Sequence, residues 1–246
     1  MAMMMMAGVA WQDCVAGLLV AFAPVLYLSE SRGLLHLQYS KFADNGSAWS
    51  VPARLGMLLF YLPAGIAPAF VVGPARSHRA AAALMIAHYT KRCLECLFLH
   101  KFSGRTNLWT IAFVGGGYTL SSVILTSTAP AEGSAAVAHL GLLVWLVGQL
   151  GNFYHHWLLA NLRKPGDMRH VVPRGGLFAY VASPHYLFEI VSWVGAALSI
   201  STWYAWAMVW FSSWYLAGRA TATLDWYAKK GMRTPPGWKR LVPLVF

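Results

Sequence analysis

The sequence predicts an all-α membrane protein: a bundle of seven transmembrane helices with the N-terminus outside and the C-terminus in the cytoplasm. Three observations carry that prediction. Of 246 residues, 58% are hydrophobic and 11% charged, whereas a soluble domain carries about 25% charged residues. Seven apolar stretches reach the roughly 20 residues that a helix needs to cross a bilayer. Lys and Arg are also divided unevenly among the connections, as they are between cytoplasmic and external loops.

The stretches cover about 8–29, 51–73, 80–99, 108–128, 136–160, 176–200 and 202–224. The first follows a Met-rich start (MAMMMM) with no positive charge before the apolar run, so it reads as an uncleaved span and not a signal peptide. The second is Leu- and Pro-rich, and the third carries a group of charges considered below. The fourth holds Gly115, Gly116 and Gly117 in mid-span, where small residues let helices approach closely. The fifth is long and ends in polar residues. The sixth is interrupted by Pro184 and is expected to begin near Ser183, with Gly175 and Gly176 in the turn before it. Only a few residues around Ser201 and Thr202 separate it from the seventh, which predicts a tight helical hairpin. No strand, repeat or long linker is expected, and the longest polar connection is about 30–50.

Seven spans place the two ends on opposite sides. With the C-terminus cytoplasmic, that side holds Arg32, Lys41, Arg54, Lys101, Arg105, Arg163, Lys164, Arg169, Arg174, Lys229, Lys230, Arg233, Lys239 and Arg240, against Arg76 and Arg79 on the other. The net charge of +11 therefore marks cytoplasmic loops, anionic lipid or an anionic cofactor. Too little polar surface exists for a nucleic-acid-binding domain. Three cysteines inside apolar stretches give no disulfide framework.

Ionisable groups inside a bilayer are costly, so they face the bundle interior and mark function by default. The third stretch carries His88, Tyr89, Lys91, Arg92 and Glu95, at spacings that allow pairing three and four residues apart. A purely structural Lys91/Arg92–Glu95 ion pair is the competing reading. The fifth carries Asn152, His155, His156 and Arg163; positions 152, 156, 159 and 163 share one face, suited to a polyanionic ligand, unless Arg163 only snorkels to lipid headgroups. The sixth carries His185, Tyr186, Glu189 and Trp193, and the seventh Arg219, Thr223, Asp225 and Tyr227. Polar faces on four helices predict a shared wet pocket opening to the cytoplasm. A metal site is not expected: His155 and His156 are adjacent, and Cys93 and Cys96 sit in an apolar helix. No glycine-rich fingerprint follows a strand, so a bound nucleotide is not held by a Rossmann fold.

The segments GNFYHHWLLANLRKPGD from Gly151 and VPRGGLFAYVASPHYLFEIVSWVG from Val172 resemble the C-terminal domain of the steroid 5-alpha-reductase family, the 3-oxo-5-alpha-steroid 4-dehydrogenases. GRATATLDWYAKKG from Gly218 and WKRLVPLVF from Trp238 extend the likeness to about 95 residues. AHYTKR from Ala87 and VPARLGMLLFYLPA from Val51 match more weakly. GNFYHH together with LFLHKFSG from Leu97 looks most like the plant and algal branch.

The resemblance implies a multi-pass membrane reductase that uses NADPH, entering from the cytoplasmic side, to saturate a C=C bond conjugated to a carbonyl. It implies one membrane domain over 1–246, with residues 1–135 as a lipid-substrate half and 136–246 as a cofactor half. Asn152, Arg163, Glu189, Trp193, Arg219 and Tyr227 match cofactor-pocket positions; Arg163 and Arg219 would meet phosphates, and Asn152, Glu189 and Tyr227 would hydrogen-bond the nucleotide. Tyr89 matches the tyrosine that contacts the substrate carbonyl.

Some positions depart from the family's pattern. Tyr61, in FYLPA, stands where animal steroid reductases have an acid, which makes the catalytic pair Tyr61 and Tyr89. His156, His170 and His185 replace an Asp, a Tyr and an Asn of the cofactor pocket; Thr223 replaces a His. His156 and His170 would add positive character toward phosphates when protonated.

The implied substrate is a 3-oxo-Δ4 steroid or close relative, with a polyprenal or trans-2-enoyl-CoA as the alternative. It would enter from the bilayer, with membrane lipid as the other partner and no obligate protein partner. The implied location is the endoplasmic reticulum membrane in a eukaryote, or the inner membrane in a bacterium. An isoprenylcysteine-type methyltransferase is similar in its last helices but carries an RHPxY-type string where this chain has SPHY. A non-catalytic lipid-binding protein or transporter is the third class; no related halves of the kind common in transporters are visible.

Overall fold

The computed structural model describes residues 2–34, 49–130, 134–162 and 171–246, with residues 2–10 as backbone only. The described residues form seven long helices: α1 (Ala2–Arg32), α2 (Ala53–Ile66) continued by the short α3 (Pro68–Val71), α4 (Arg76–Leu94), α5 (Leu108–Ser127), α6 (Ala135–Asn161), α7 (Pro184–Ile200) and α8 (Trp203–Lys229). Each overlaps one of the expected apolar stretches. Within them, Trp11–Arg32, Ala53–Val71, Leu108–Ser127 and Ala135–Asn161 are long and apolar enough to cross a membrane. The other three differ for distinct reasons. Helix α4 carries Arg76, Arg79, Lys91 and Arg92, α7 has only 17 residues, and α8 is rich in Trp and Tyr, which rank low in hydropathy.

Helix boundaries follow local chemistry. Asn107 caps α5 by accepting from Trp109 N at 2.8 Å. Pro184 opens α7, directly after Ser183, where its missing N–H costs nothing. Ser201 ends α7 in the left-handed conformation (φ 57°), and Thr202 caps α8 by accepting from Ala205 N at 3.1 Å. The expected hairpin is thus closed by two residues. Gly175 and Gly176, with φ of 88° and 50°, form the turn leading to a 3-10 segment at Gly176–Ala179.

Two features depart from expectation. A short β-ribbon joins β1 (Ser50–Pro52) to β2 (Arg105–Asn107), antiparallel, with Val51 opposite Thr106. Strands of three residues are too short to show an alternating pattern in sequence. Arg105 fastens the ribbon by donating to the Ser50 hydroxyl at 2.8 Å and the Ser50 carbonyl at 2.5 Å. Helix α4 also ends in a π-helical turn, Glu95–Leu99, closed by His100 N donating to Glu95 O at 2.8 Å.

The distribution of polarity is that of a membrane protein. Phe70, Phe98 and Trp109 are 84%, 82% and 79% exposed, whereas Glu95, Asn152 and Arg219 are 2%, 2% and 1% exposed. These apolar side chains face outward and these polar and charged ones inward, the arrangement required where lipid replaces water.

Helices α6 and α7 pack closely because glycines remove side chains from their seam. A Cβ on Gly148 would lie 2.4 Å from Ser192 N, and one on Gly195 would lie 2.2 Å from Trp145 N. A second cluster gathers Phe178, Ala182, Tyr227 and Trp238 beyond this seam. There the Trp238 indole donates to the Phe178 carbonyl at 2.6 Å, and Lys239 pairs with the strand-like segment at Val181.

Gly195→Ala places a methyl against backbone that cannot yield, so a loss of about 1–3 kcal/mol is expected, seen as a lower Tm in detergent. Gly116→Ala, which faces open space, serves as the control and leaves Tm unchanged or slightly raised.

Candidate functional site

The interior polar groups of α2, α4, α6 and α7 form one connected cluster. Its centre is the last turn of α4, where Lys91 and Arg92 stand four and three residues before Glu95. Lys91 Nζ lies 3.0 Å from Glu95 Oε1, and Arg92 Nη1 lies 2.5 Å from Glu95 Oε2. The spacing visible in the sequence is therefore realised, but the pair does more than neutralise itself.

On one side Lys91 donates to Asn152 Oδ1 of α6 at 2.5 Å. Asn152 in turn donates to the His185 carbonyl at 2.9 Å and to Glu189 Oε2 at 3.0 Å, both on α7. Glu189 Oε1 lies 3.4 Å from His88 Nε2, and His88 Nδ1 lies 2.9 Å from Gln149 Nε2. Gln149 can only donate from that nitrogen, so His88 Nδ1 accepts and the Nε2 hydrogen points to Glu189. The His88 ring also lies 5.3 Å from Trp193 and 4.9 Å from Tyr89.

On the other side Arg92 Nη2 donates to the Tyr61 hydroxyl at 3.0 Å. Arg92 Nη1 lies 2.9 Å from His156 Nδ1, which is 3.1 Å from Glu95 Oε2. The His156 ring reaches His185 at 5.5 Å and His100 at 4.9 Å between centroids. Burial, then the positive field of Arg92, pushes the His100 imidazole down to about 4. Tyr61, Tyr89 and Tyr118 form a triangle of rings with centroids 5.8–6.3 Å apart. At its corner the Tyr89 hydroxyl is fully buried and has no hydrogen-bond partner among the described residues.

His155, one position from His156, has a different role. Its Nδ1 donates to the Gly151 carbonyl at 2.7 Å, and its Nε2 accepts from Leu177 N at 3.1 Å. It ties the turn before α7 to α6.

Glu95, His100 and His156 bring their ligand atoms within 4.8 Å of one another, a donor set that the sequence does not reveal because α6 supplies one member. Arg92 Nη1 already bonds Glu95 Oε2 and reaches His156 Nδ1, so the guanidinium stands where a cation would bind.

The structure thus brings together Tyr61, Tyr89, Asn152, His156, His185, Glu189 and Trp193. The expected convergence of Arg163, Arg219, Asn152 and Glu189 is present for Asn152 and Glu189. Arg219 pairs with Glu30 of α1 at 3.3 Å, both 1% exposed, and Tyr227 packs with Trp238 in the second cluster. Arg163 and His170 lie outside the described residues. Sequence reasoning placed Lys91, Arg92 and Glu95 among the polar groups of the expected pocket, with a structural ion pair as the competing reading, and gave them no role in binding or catalysis. Gln149 offered no signal beyond its position three residues before Asn152.

The sequence pattern of the 3-oxo-5-alpha-steroid 4-dehydrogenases matches residues 108–246. The chain is 30% identical to 3-oxo-5-alpha-steroid 4-dehydrogenase 1 of Macaca fascicularis over 98% of its own length and 94% of that protein. It is 29% identical to 3-oxo-5-alpha-steroid 4-dehydrogenase 2 of Sus scrofa, over 91% and 92% respectively. It is also 30% identical to the very-long-chain enoyl-CoA reductase of Dictyostelium discoideum, over 64% of this chain and 55% of that one.

Glu95→Ala leaves Lys91 and Arg92 without their carboxylate in the bundle interior. Removing one member of a buried pair costs about 3–5 kcal/mol, so this variant is expected to show a strongly reduced yield of folded protein and a lower Tm.

Proposed function

The chain belongs to the 3-oxo-5-alpha-steroid 4-dehydrogenase family, and we propose that it is an NADPH-dependent membrane reductase. It saturates a carbon–carbon double bond conjugated to a carbonyl on a lipid, a 3-oxo-Δ4 steroid or a close relative. The Tyr89 hydroxyl carries this reading. A buried donor with no partner costs about 1–3 kcal/mol, and a substrate carbonyl oxygen is the acceptor that relieves it.

NADPH, when bound, would supply the hydride for the β-carbon, and a proton from water would then complete saturation at the α-carbon. As negative charge gathers on the carbonyl oxygen, the Tyr89 and Tyr61 hydroxyls donate hydrogen bonds to it. Such donors act strongly because they are fixed before the reaction and shielded from water. The aromatic triangle around them suits a flat, apolar substrate taken from the bilayer.

The residues fit a dinucleotide on the α6–α7 side. The Ser183 hydroxyl, fully buried at the start of α7, has no partner among the described residues. On the same α6–α7 side Asn152 joins the His185 carbonyl and Glu189, and Trp193 adds a ring beside His88. Arg163 and His170 would meet phosphates together with His156. A phosphate at Arg219 would share that guanidinium with Glu30, and Tyr227 would contact the nucleotide from the second cluster. In this reading residues 1–135 supply the catalytic tyrosines and residues 136–246 the cofactor-binding groups. Seven spans, with the C-terminus cytoplasmic, put the cation-rich connections on the side where NADPH is available. The location that goes with this is the endoplasmic reticulum membrane in a eukaryotic cell.

A trans-2-enoyl thioester is the second reading. It is favoured by the likeness to an enoyl-CoA reductase and by Tyr61, a phenol held by Arg92 where animal steroid reductases resemble this chain but carry an acid.

Membranes containing the protein, supplied with NADPH and a panel of a 3-oxo-Δ4 steroid, a polyprenal and a trans-2-enoyl-CoA, are expected to yield a saturated product by mass spectrometry. No saturated product from any of them, with no binding of NADPH by fluorescence, would sink the proposal. Tyr89→Phe is expected to lower kcat about a hundredfold, as loss of one such donor does, while NADPH affinity stays within about twofold of the parent because Tyr89 lies outside the cofactor group.

A further inference from the structure

Tyr61 is held more tightly than a core tyrosine needs to be. Arg92 Nη2 donates to its oxygen at 3.0 Å, and the guanidinium carbon lies 4.9 Å from its ring centre. The ring stacks on Tyr118 at 5.8 Å with 14° between planes. Arg92 is itself immobilised, through Glu95 Oε2 at 2.5 Å and His156 Nδ1 at 2.9 Å. Glu95 is steadied in turn by Lys91. Groups from α4 and α6 therefore fix the direction of one phenol on α2.

Arg92 does not need Tyr61 to gain an anionic partner, since Glu95 Oε2 stands 2.5 Å from it. Arginine has no acceptor, so the tyrosine oxygen must accept in this bond. Its own hydrogen then has to point elsewhere. A hydroxyl that accepts from a cation also donates more strongly, because linked hydrogen bonds polarise one another.

We infer that Arg92 is a positioning residue for the reaction: clamped by Glu95 and His156, it takes the acceptor side of the Tyr61 hydroxyl and aims its hydrogen at the substrate carbonyl. The inference rests on the proposed reductase chemistry. In this arrangement Arg92 bonds Tyr61 and acts on the reaction through it. Lysine cannot replace it, because one ammonium cannot span Glu95 and Tyr61 as the planar fork does.

The test is a double-mutant cycle on kcat with Arg92→Lys and Tyr61→Phe, with NADPH affinity and Tm followed alongside. Arg92→Lys is expected to lower kcat roughly tenfold or more, with NADPH affinity within about twofold. In the Tyr61→Phe background the same change is expected to do nothing further, since residues acting as one unit are not additive. His156→Gln, which loosens the clamp without removing Arg92, is expected to give a smaller loss of kcat at saturating NADPH that also vanishes with Tyr61→Phe, while any loss of NADPH affinity from its place at the phosphates is measured separately. His156→Gln replaces Arg92→Lys in the cycle if that variant does not fold. Losses that multiply in the double variants, while Tyr61→Phe alone is slow, overturn the inference and leave the reductase intact. Full turnover by Tyr61→Phe, or no reduction by the parent, overturns the role of Tyr61 itself and the inference with it.

Discussion

A single carboxylate holds the interior together. Glu95 is 2% exposed and serves Lys91 and Arg92 at once, with the His156 ring beside them. In a bundle whose outer surface is apolar, two cations on one helical turn can be kept only if an anion stands beside them. That requirement fixes where α4 ends, which side chains of α6 face it, and which way Arg92 reaches toward α2. The Asn152–Glu189 link and the Tyr61 contact are the two arms of this arrangement. Loss of the centre uncouples both.

The helices were legible because apolar runs of bilayer length leave little choice of structure. Pro184 and the Ser201–Thr202 pair marked helix ends by backbone chemistry that acts locally, and both boundaries fall where the sequence puts them. The β1–β2 ribbon was hidden because its register depends on a partner more than fifty residues away. The π-helical turn was hidden for a similar reason. It is a choice between hydrogen-bonding patterns that the same residues allow, settled by where Glu95 must sit.

The site was legible in part. His88, Asn152, His185 and Glu189 declared themselves as polar groups in apolar helices, and they meet. Pairing within α4 followed from its spacing. Arg219 was legible only as half of a pair, because an intramembrane arginine signals that an anion is near without saying which. Glu30, at the far end of the sequence from it, is that anion, and only the packing of α1 on α8 reveals it. Lys91 and Arg92 looked sufficient to themselves in sequence, and the contacts that tie them to α2 and α6 depend on distances in three dimensions.

The clasp between Trp238 and Phe178, with Lys239 alongside Tyr180 and Ala182, has a consequence for biogenesis. Every helix precedes these residues in the order of synthesis. A chain translated only as far as Lys229 contains every described helix, yet the segment leading into α7 still lacks its fastening. The turn before α7 is therefore fastened last, by residues made after all of those helices.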